Sequence, residues 1–234
     1  MEYKITKYSE LSSTNTEAAN TENFEHLECI TAERQTSGRG RMGRSFHSES
    51  GGLYMSVLLK PSEINCTLPL VTFAAAVSLT EALRSLSYKV GIKWVNDILY
   101  NGKKAAGILT EAKTKDGSIE RIIVGIGVNL KEPEGGFPDE IKDKATSLGY
   151  TGDKDILIGL ILSRLCENLQ KTAEEMISIY RENMLMIGKT AEVSDYRRGE
   201  KKTVTILGVD NDGSLICEDN EKKRLLLVSG EVLY

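Results

Sequence analysis

The chain has only two histidines, His26 and His47, in 234 residues. A histidine-rich metal centre is therefore excluded, and a Ser-His-Asp triad would have to use one of those two. The four cysteines, Cys29, Cys66, Cys166 and Cys217, lie far apart without the paired spacing of a zinc or redox motif, and read as reduced and structural. Long apolar runs are absent: segments such as 156–162 fall far short of the roughly 20 residues that cross a bilayer. No apolar signal core follows Met1-Glu2-Tyr3-Lys4, so a cytoplasmic protein is expected. An excess of positive charge is lacking too. Lys plus Arg is 30 against 34 Asp plus Glu, a net −4, which excludes a chain-wide nucleic-acid or lipid surface but not a local basic cluster. There is no G-x-x-x-x-G-K-[ST] phosphate loop, and Gly125-Ile126-Gly127 lacks the third glycine and following helix of a dinucleotide site. Catalysis must lean on Arg, Lys, Asp and bound metal.

With 40% hydrophobic and 27% charged residues, the chain can bury an ordinary globular core. Apolar residues at Val71, Ala74, Ala75, Val77, Ala82, Leu83 and Leu86 predict a helix over 71–86 with one buried stripe, entered through Pro69. A long helix is expected over 155–183, and a short one starting at Ser13 or Thr14. Strand-like runs cover 53–59, 91–95, 105–111 and 121–130, and Asn101-Gly102 and Asp116-Gly117 suit tight hairpins. Gly135-Gly136 and Pro138 mark a loop. Without regular βαβ alternation, the pattern points to an α+β fold, a mixed β-sheet with helices packed on one face. After Gly188 only short β-rich runs remain, at 190–194, 202–209, 214–218 and 223–228, which predicts a small appended barrel. The expected division is 1–185 and 186–234.

Three segments carry the chemistry. Ser37-Gly38-Arg39-Gly40-Arg41-Met42-Gly43-Arg44 interleaves glycine with arginine. Glycine permits close backbone approach, and arginine offers a fork for phosphate or carboxylate oxygens. In an extended loop Arg39 and Arg41 would project to one side and meet one polyanion. A solvated surface loop and a single-strand nucleic-acid segment are the alternatives. Lys93-Trp94-Val95-Asn96-Asp97, with Lys104 and Gly107 beyond it, sets charges inside apolar strands, where they need partners or a polar site. A cross-strand salt bridge would also satisfy them, and Trp94 could simply be core. Gly125-Ile126-Gly127-Val128-Asn129 leaves room on one face and ends in a donor-acceptor amide, or in a buried turn amide.

Taken in order, these pieces, with Ser12-Ser13-Thr14-Asn15 before them, Lys103-Lys104-Ala105-Ala106-Gly107-Ile108-Leu109-Thr110-Glu111 among them and Ser229-Gly230-Glu231-Val232 at the end, resemble the biotin protein ligases. The resemblance spans nearly the whole chain. It implies a class II aminoacyl-tRNA-synthetase-like fold with a C-terminal SH3-like barrel, and a two-step reaction. Biotin is activated by ATP, with Mg²⁺, to biotinyl-5′-AMP and transferred to a lysine of a biotin carboxyl carrier protein. It further implies that Ser13, Thr14, Asn15, Gln35, Gly38, Arg39, Lys104 and Gly107 bind biotin. Arg41, Arg44, Phe46, Lys93, Asn96 and Asn129 would hold ATP and the adenylate, with Arg39, Arg41, Lys104 and Asp97 catalytic. Phe46 stands where the family has an adenine-covering tryptophan, and Val95 where it has proline. No metal ligands are assigned. Lipoate-protein ligases, or a non-catalytic nucleic-acid-binding or regulatory module, are the alternatives. The first motif arrives so early that a short form without an N-terminal DNA-binding domain is expected, with no DNA or membrane partner. A homodimer joined at sheet edges, with the 125–130 region contributing, is also expected.

Overall fold

Asn101-Gly102 and Asp116-Gly117 adopt positive φ at both residues, 50° and 79° in the first pair and 51° and 78° in the second. Two-residue hairpins need this geometry to match strand twist. In the computed structural model, which describes residues 3–197 and 199–233, these turns join β5 (Asp97–Tyr100), β6 (Lys103–Lys115) and β7 (Ser118–Val128). With β1 (Ile5–Leu11), β2 (Glu28–Gln35), β3 (Leu53–Leu59) and β4 (Val90–Lys93) they form a seven-stranded sheet ordered β1-β2-β3-β7-β6-β5-β4. Only β1 and β2 are parallel, so the sheet is mixed, as expected. The Gly135-Gly136 and Pro138 segment lies in the irregular stretch after β7.

Every residue of β3 is buried, because both faces of the sheet are covered there. Cys29, Val57, Leu59, Ile122 and Val124 share one core with α2 (Leu68–Ser85), α3 (Lys154–Asn168) and α4 (Ala173–Asn183). Their neighbours Ile30, Leu58 and Ile123 point the other way, onto Ala18 of the short α1 (Thr14–Asn20). The three long helices therefore occupy one face and α1 the opposite one. Phe73 of α2 stacks on Tyr180 of α4 with ring centroids 3.8 Å apart.

Two expectations need correction. The helix expected over 155–183 is two helices. Thr172 accepts from the Glu175 amide while the Glu175 carboxylate accepts from the Thr172 amide, a capping box that starts α4 afresh. The 125–130 region cannot join sheet edges between copies. β7 is hydrogen-bonded to β3 on one side and β6 on the other; the outer strands are β1 and β4, and the β4 edge is covered by Met184 and Leu185, whose amide donates to the Ile92 carbonyl.

Beyond Gly188 a second, antiparallel sheet contains β8 (Thr190–Asp195), β9 (Glu200–Val209), β10 (Leu215–Glu218), β11 (Arg224–Leu227) and β12 (Gly230–Leu233), ordered β11-β10-β9-β8-β12. Its inward residues, among them Val193, Val204, Ile206 and Leu215, belong to the same hydrophobic core as the large sheet. The Asp212-Gly213 turn seats against that core, where the Trp94 indole donates to the Gly213 carbonyl at 3.0 Å. The Trp94–Val95 peptide bond is cis. The cysteines are free thiols, and burial pushes Cys29 up to about 12 and Cys217 up to about 11, which keeps them unreactive.

Candidate active site

The site lies on the α1 side of the sheet, where the strands carry small residues. Gly107 of β6 pairs in register with Gly127 of β7, and Ser56 of β3 with Gly125. A Cβ on Gly125 would stand 2.3 Å from Asn15 Oδ1, and one on Gly127 would stand 2.6 Å from the Phe46 ring. Both glycines thus give way to a side chain lying flat on the sheet. The floor they make carries a cavity of about 140 Å³, which adjoins a second of about 750 Å³. The two share Arg44, Ser45, Phe46, Asp97, Lys104 and Glu231.

One end of the smaller cavity is neutral and tightly wired. The Thr14 amide and hydroxyl both donate to Gln35 Oε1, at 2.8 and 3.1 Å. Gln35 Nε2 donates to Ser48 Oγ at 2.9 Å, and Ser48 donates onward to the Phe46 carbonyl. The Ser56 hydroxyl lies 2.8 Å from Thr14 Oγ1 and 2.6 Å from Asn15 Oδ1. Asn15 Nδ2 donates to Glu111 Oε2 at 2.6 Å. Ser13, Thr14 and Asn15 are almost completely buried, because the N-terminus of α1 aims into this end of the cavity.

The other end is cationic. Arg39, Arg41 and Lys104 line it together. Lys104 Nζ is 2.6 Å from Asp97 Oδ1 and 5.7 Å from the Phe46 ring centroid. Arg41 donates to Asn96 Oδ1 at 3.4 Å, and Asn96 Nδ2 donates to the Ile108 carbonyl at 2.7 Å. Lys93 lines the larger cavity, and burial lowers its pKa against the raising effects of Asp97 and Glu231. Asn129 lines the same cavity and donates to the Thr146 carbonyl.

The glycine-arginine segment is not the fully extended loop considered from sequence. Gly40 donates to the Arg44 carbonyl and Phe46 to the Gly38 carbonyl, folding it into a hairpin tipped by a 3-10 turn at Arg41–Gly43. Arg39 and Arg41 nevertheless both reach the cavity. Gly38 lines neither cavity and instead packs behind the loop against Ser48 and Phe46. Arg44 borders both cavities, but its fork is engaged elsewhere. It donates to both oxygens of Glu231, at 2.8 and 2.6 Å, and to the Tyr196 hydroxyl at 2.8 Å. That pairing lowers the Glu231 pKa and raises that of Arg44.

Five residues without a role in the sequence reading thus belong to the site: Ser48, Ser56, Glu111, Tyr196 and Glu231. Ser56 was detectable as the single serine in a β3 otherwise made of apolar and aromatic residues. Glu111 and Glu231 stand inside quoted motifs, whereas nothing around Tyr196 signals that it meets a loop about 150 residues earlier. Among the described residues no three His, Cys, Asp or Glu side chains gather to hold a metal; Asp97 and Glu231, which border both cavities, are paired with cations, and Glu140 and Asp143 line the larger cavity. No helix among the described residues is long and apolar enough to cross a membrane.

Residues 8–129 match the profile of the Biotin/lipoate A/B protein ligase family. The bifunctional ligase/repressor BirA of Bacillus subtilis is 32% identical over 200 residues, covering 82% of this chain and 62% of its own length. The biotin–[acetyl-CoA-carboxylase] ligase of Mycobacterium tuberculosis is 26% identical over 88% of this chain and 78% of its own. Among solved structures, the biotin protein ligase of Aquifex aeolicus in complex with biotin and ATP superposes with a TM-score of 0.84 at 30% identity, covering 98% of this chain and 97% of that one.

Proposed function

The chain belongs to the biotin/lipoate A/B protein ligase family, and within it we propose an ATP-dependent ligase that makes biotinyl-5′-AMP and transfers biotin to a lysine of a biotin carboxyl carrier protein. The observation that carries this reading is the polarity gradient along one cavity, from the neutral Thr14–Gln35 end to the Arg39–Arg41–Lys104 end. A ureido ring asks for neutral donors and acceptors, and a carboxylate meeting a phosphate asks for fixed cations. Relatives named as biotin ligases, and a similar structure holding biotin and ATP, support the same substrates.

In the first step an oxygen of the biotin carboxylate forms a bond to the α-phosphorus of ATP, and the bond to pyrophosphate breaks. Arg39, Arg41 and Lys104 offset the negative charge of the two approaching anions, whose repulsion is the main obstacle. Phe46 lies over the glycine floor between the cavities and is positioned to stack on adenine in the larger one, which Lys93 and Asn129 would help to bound, while Asn96 would meet the nucleotide from the smaller cavity. In the second step the acceptor amine attacks the biotinyl carbonyl and AMP leaves. Asp97 orients that amine and takes its proton, since an ammonium is not a nucleophile. The 38–44 hairpin covers the mixed anhydride against water. The site residues do not form a metal cage, so Mg²⁺ would enter as part of the ATP substrate.

We take 1–185 as the catalytic unit and 186–234 as the barrel unit, with the protein working in the cytoplasm. A homodimer joined at sheet edges would use the β1 edge. Biotin-dependent exchange of pyrophosphate into ATP tests the reading; exchange with lipoate and none with biotin would overturn it.

A further inference from the structure

One carboxylate oxygen joins the neutral and cationic ends of the site. Glu111 Oε2 accepts from Asn15 Nδ2 at 2.6 Å and from Arg39 at 3.3 Å. Glu111 itself does not line the cavity, whereas Asn15 and Arg39 both do. The side chains of Glu111 and Arg39 are 37% and 48% exposed, and ion pairs that wet are weak and readily exchanged. The Asn15 amide, by contrast, is buried and held from its other side by Ser56. One partner of Glu111 is therefore fixed and the other can leave.

We propose that Glu111 is a positioning residue that acts as a stand-in carboxylate, holding Arg39 until the carboxylate of the acid substrate displaces it. The inference rests on the ligase reading above. In the free protein the arginine is kept beside the neutral pocket by a group of the same chemistry as the one it will meet. Glu111 thereby sets how strongly the site prefers an acid over the corresponding neutral amide. Each acid bound must first take Arg39 from Glu111, whereas an amide has no charge with which to do so.

The variant Glu111→Gln isolates this role. Its amide oxygen can still accept from Asn15, but its charge no longer holds Arg39. Calorimetric titration without nucleotide, using biotin and its carboxamide as paired probes, gives the test. Biotin should bind about twofold to fivefold tighter to the variant, the range that release of an exposed ion pair supports, with carboxamide affinity unchanged. In an Arg39→Gln background, Glu111→Gln should change neither affinity. Equal changes for acid and amide would overturn the proposal and leave Glu111 as a prop for Asn15 alone. Weaker or unchanged biotin binding in Glu111→Gln would overturn it as well. A wild-type protein that binds neither probe would instead sink the ligase reading itself.

Discussion

Lys93 and Lys104 both border the larger cavity and both feel Asp97, but their surroundings differ. Lys104 has a carboxylate 2.6 Å away and faces both cavities. In the proposed reaction, replacing it with alanine removes a preorganised charge from the point where the two anions would meet. Pyrophosphate exchange should fall by at least about 100-fold, as for the loss of one fixed oxyanion-stabilising group. Lys93 is dominated by burial, which lowers its pKa. Between that lowered value and the ordinary lysine value, the unfolded chain binds more protons than the folded one. This group therefore makes stability rise with pH across that window and costs stability below it. Lys93→Met should flatten the rise and lift the neutral-pH Tm by about 2 °C, while weakening nucleotide binding. A thermal-melt series across pH in both proteins would show it.

At the scale of elements, β7 acts through the side chains it lacks. Gly125→Ala places a methyl against Asn15, which Ser56 and Glu111 hold in place. Biotin KM should rise by about tenfold or more, with ATP KM little changed. Gly127→Ala pushes instead on the Phe46 ring, and the larger change should then be in the ATP KM. Steady-state kinetics on the two variants separates the halves of the cavity by successive positions on one face of a single strand. The 38–44 hairpin is held at its far end by the Arg44–Glu231–Tyr196 cluster. Glu231→Gln should free that end and speed tryptic cleavage of the hairpin severalfold. Because Arg44 holds the Glu231 carboxyl below its ordinary range, the contribution of this pair is full above that range. It is lost only as pH falls through the lowered folded value.

For the whole molecule, the two sheets are distinct in hydrogen bonding yet share one hydrophobic core. Trp94 and Arg181 reach from the larger unit to the Gly213 and Val209 carbonyls of the smaller one. Calorimetry should show one cooperative unfolding transition, with calorimetric and van't Hoff enthalpies equal, rather than a separate melt of the barrel. Tyr196 and Glu231 also bring the small sheet to the catalytic loop, so its removal should cost adenylate retention as well as stability.

Local signals were readable in the chain itself. Asn-Gly and Asp-Gly gave the hairpins, apolar spacing gave α2, and residue types in order singled out the Gly38, Lys93 and Gly125 segments, which the fold gathers around the two cavities. The α3–α4 break was also written locally, in Thr172 and Glu175, but its apolar stripe continues across the gap and masks it. Other features were beyond local reading because they join residues far apart in sequence. Nothing near Arg44 says that its fork meets Glu231, and nothing near Glu111 says that it will hold Asn15 and Arg39 on one oxygen. Nor could the strand pattern alone show that 125–128 lies in the middle of the sheet. Side-chain chemistry and backbone propensity are properties of short segments, so the sequence by itself determined which groups could act on an acid and a nucleotide. Which of them share a proton, a counter-ion or a face depends on strand order and packing, and only the tertiary structure decided that.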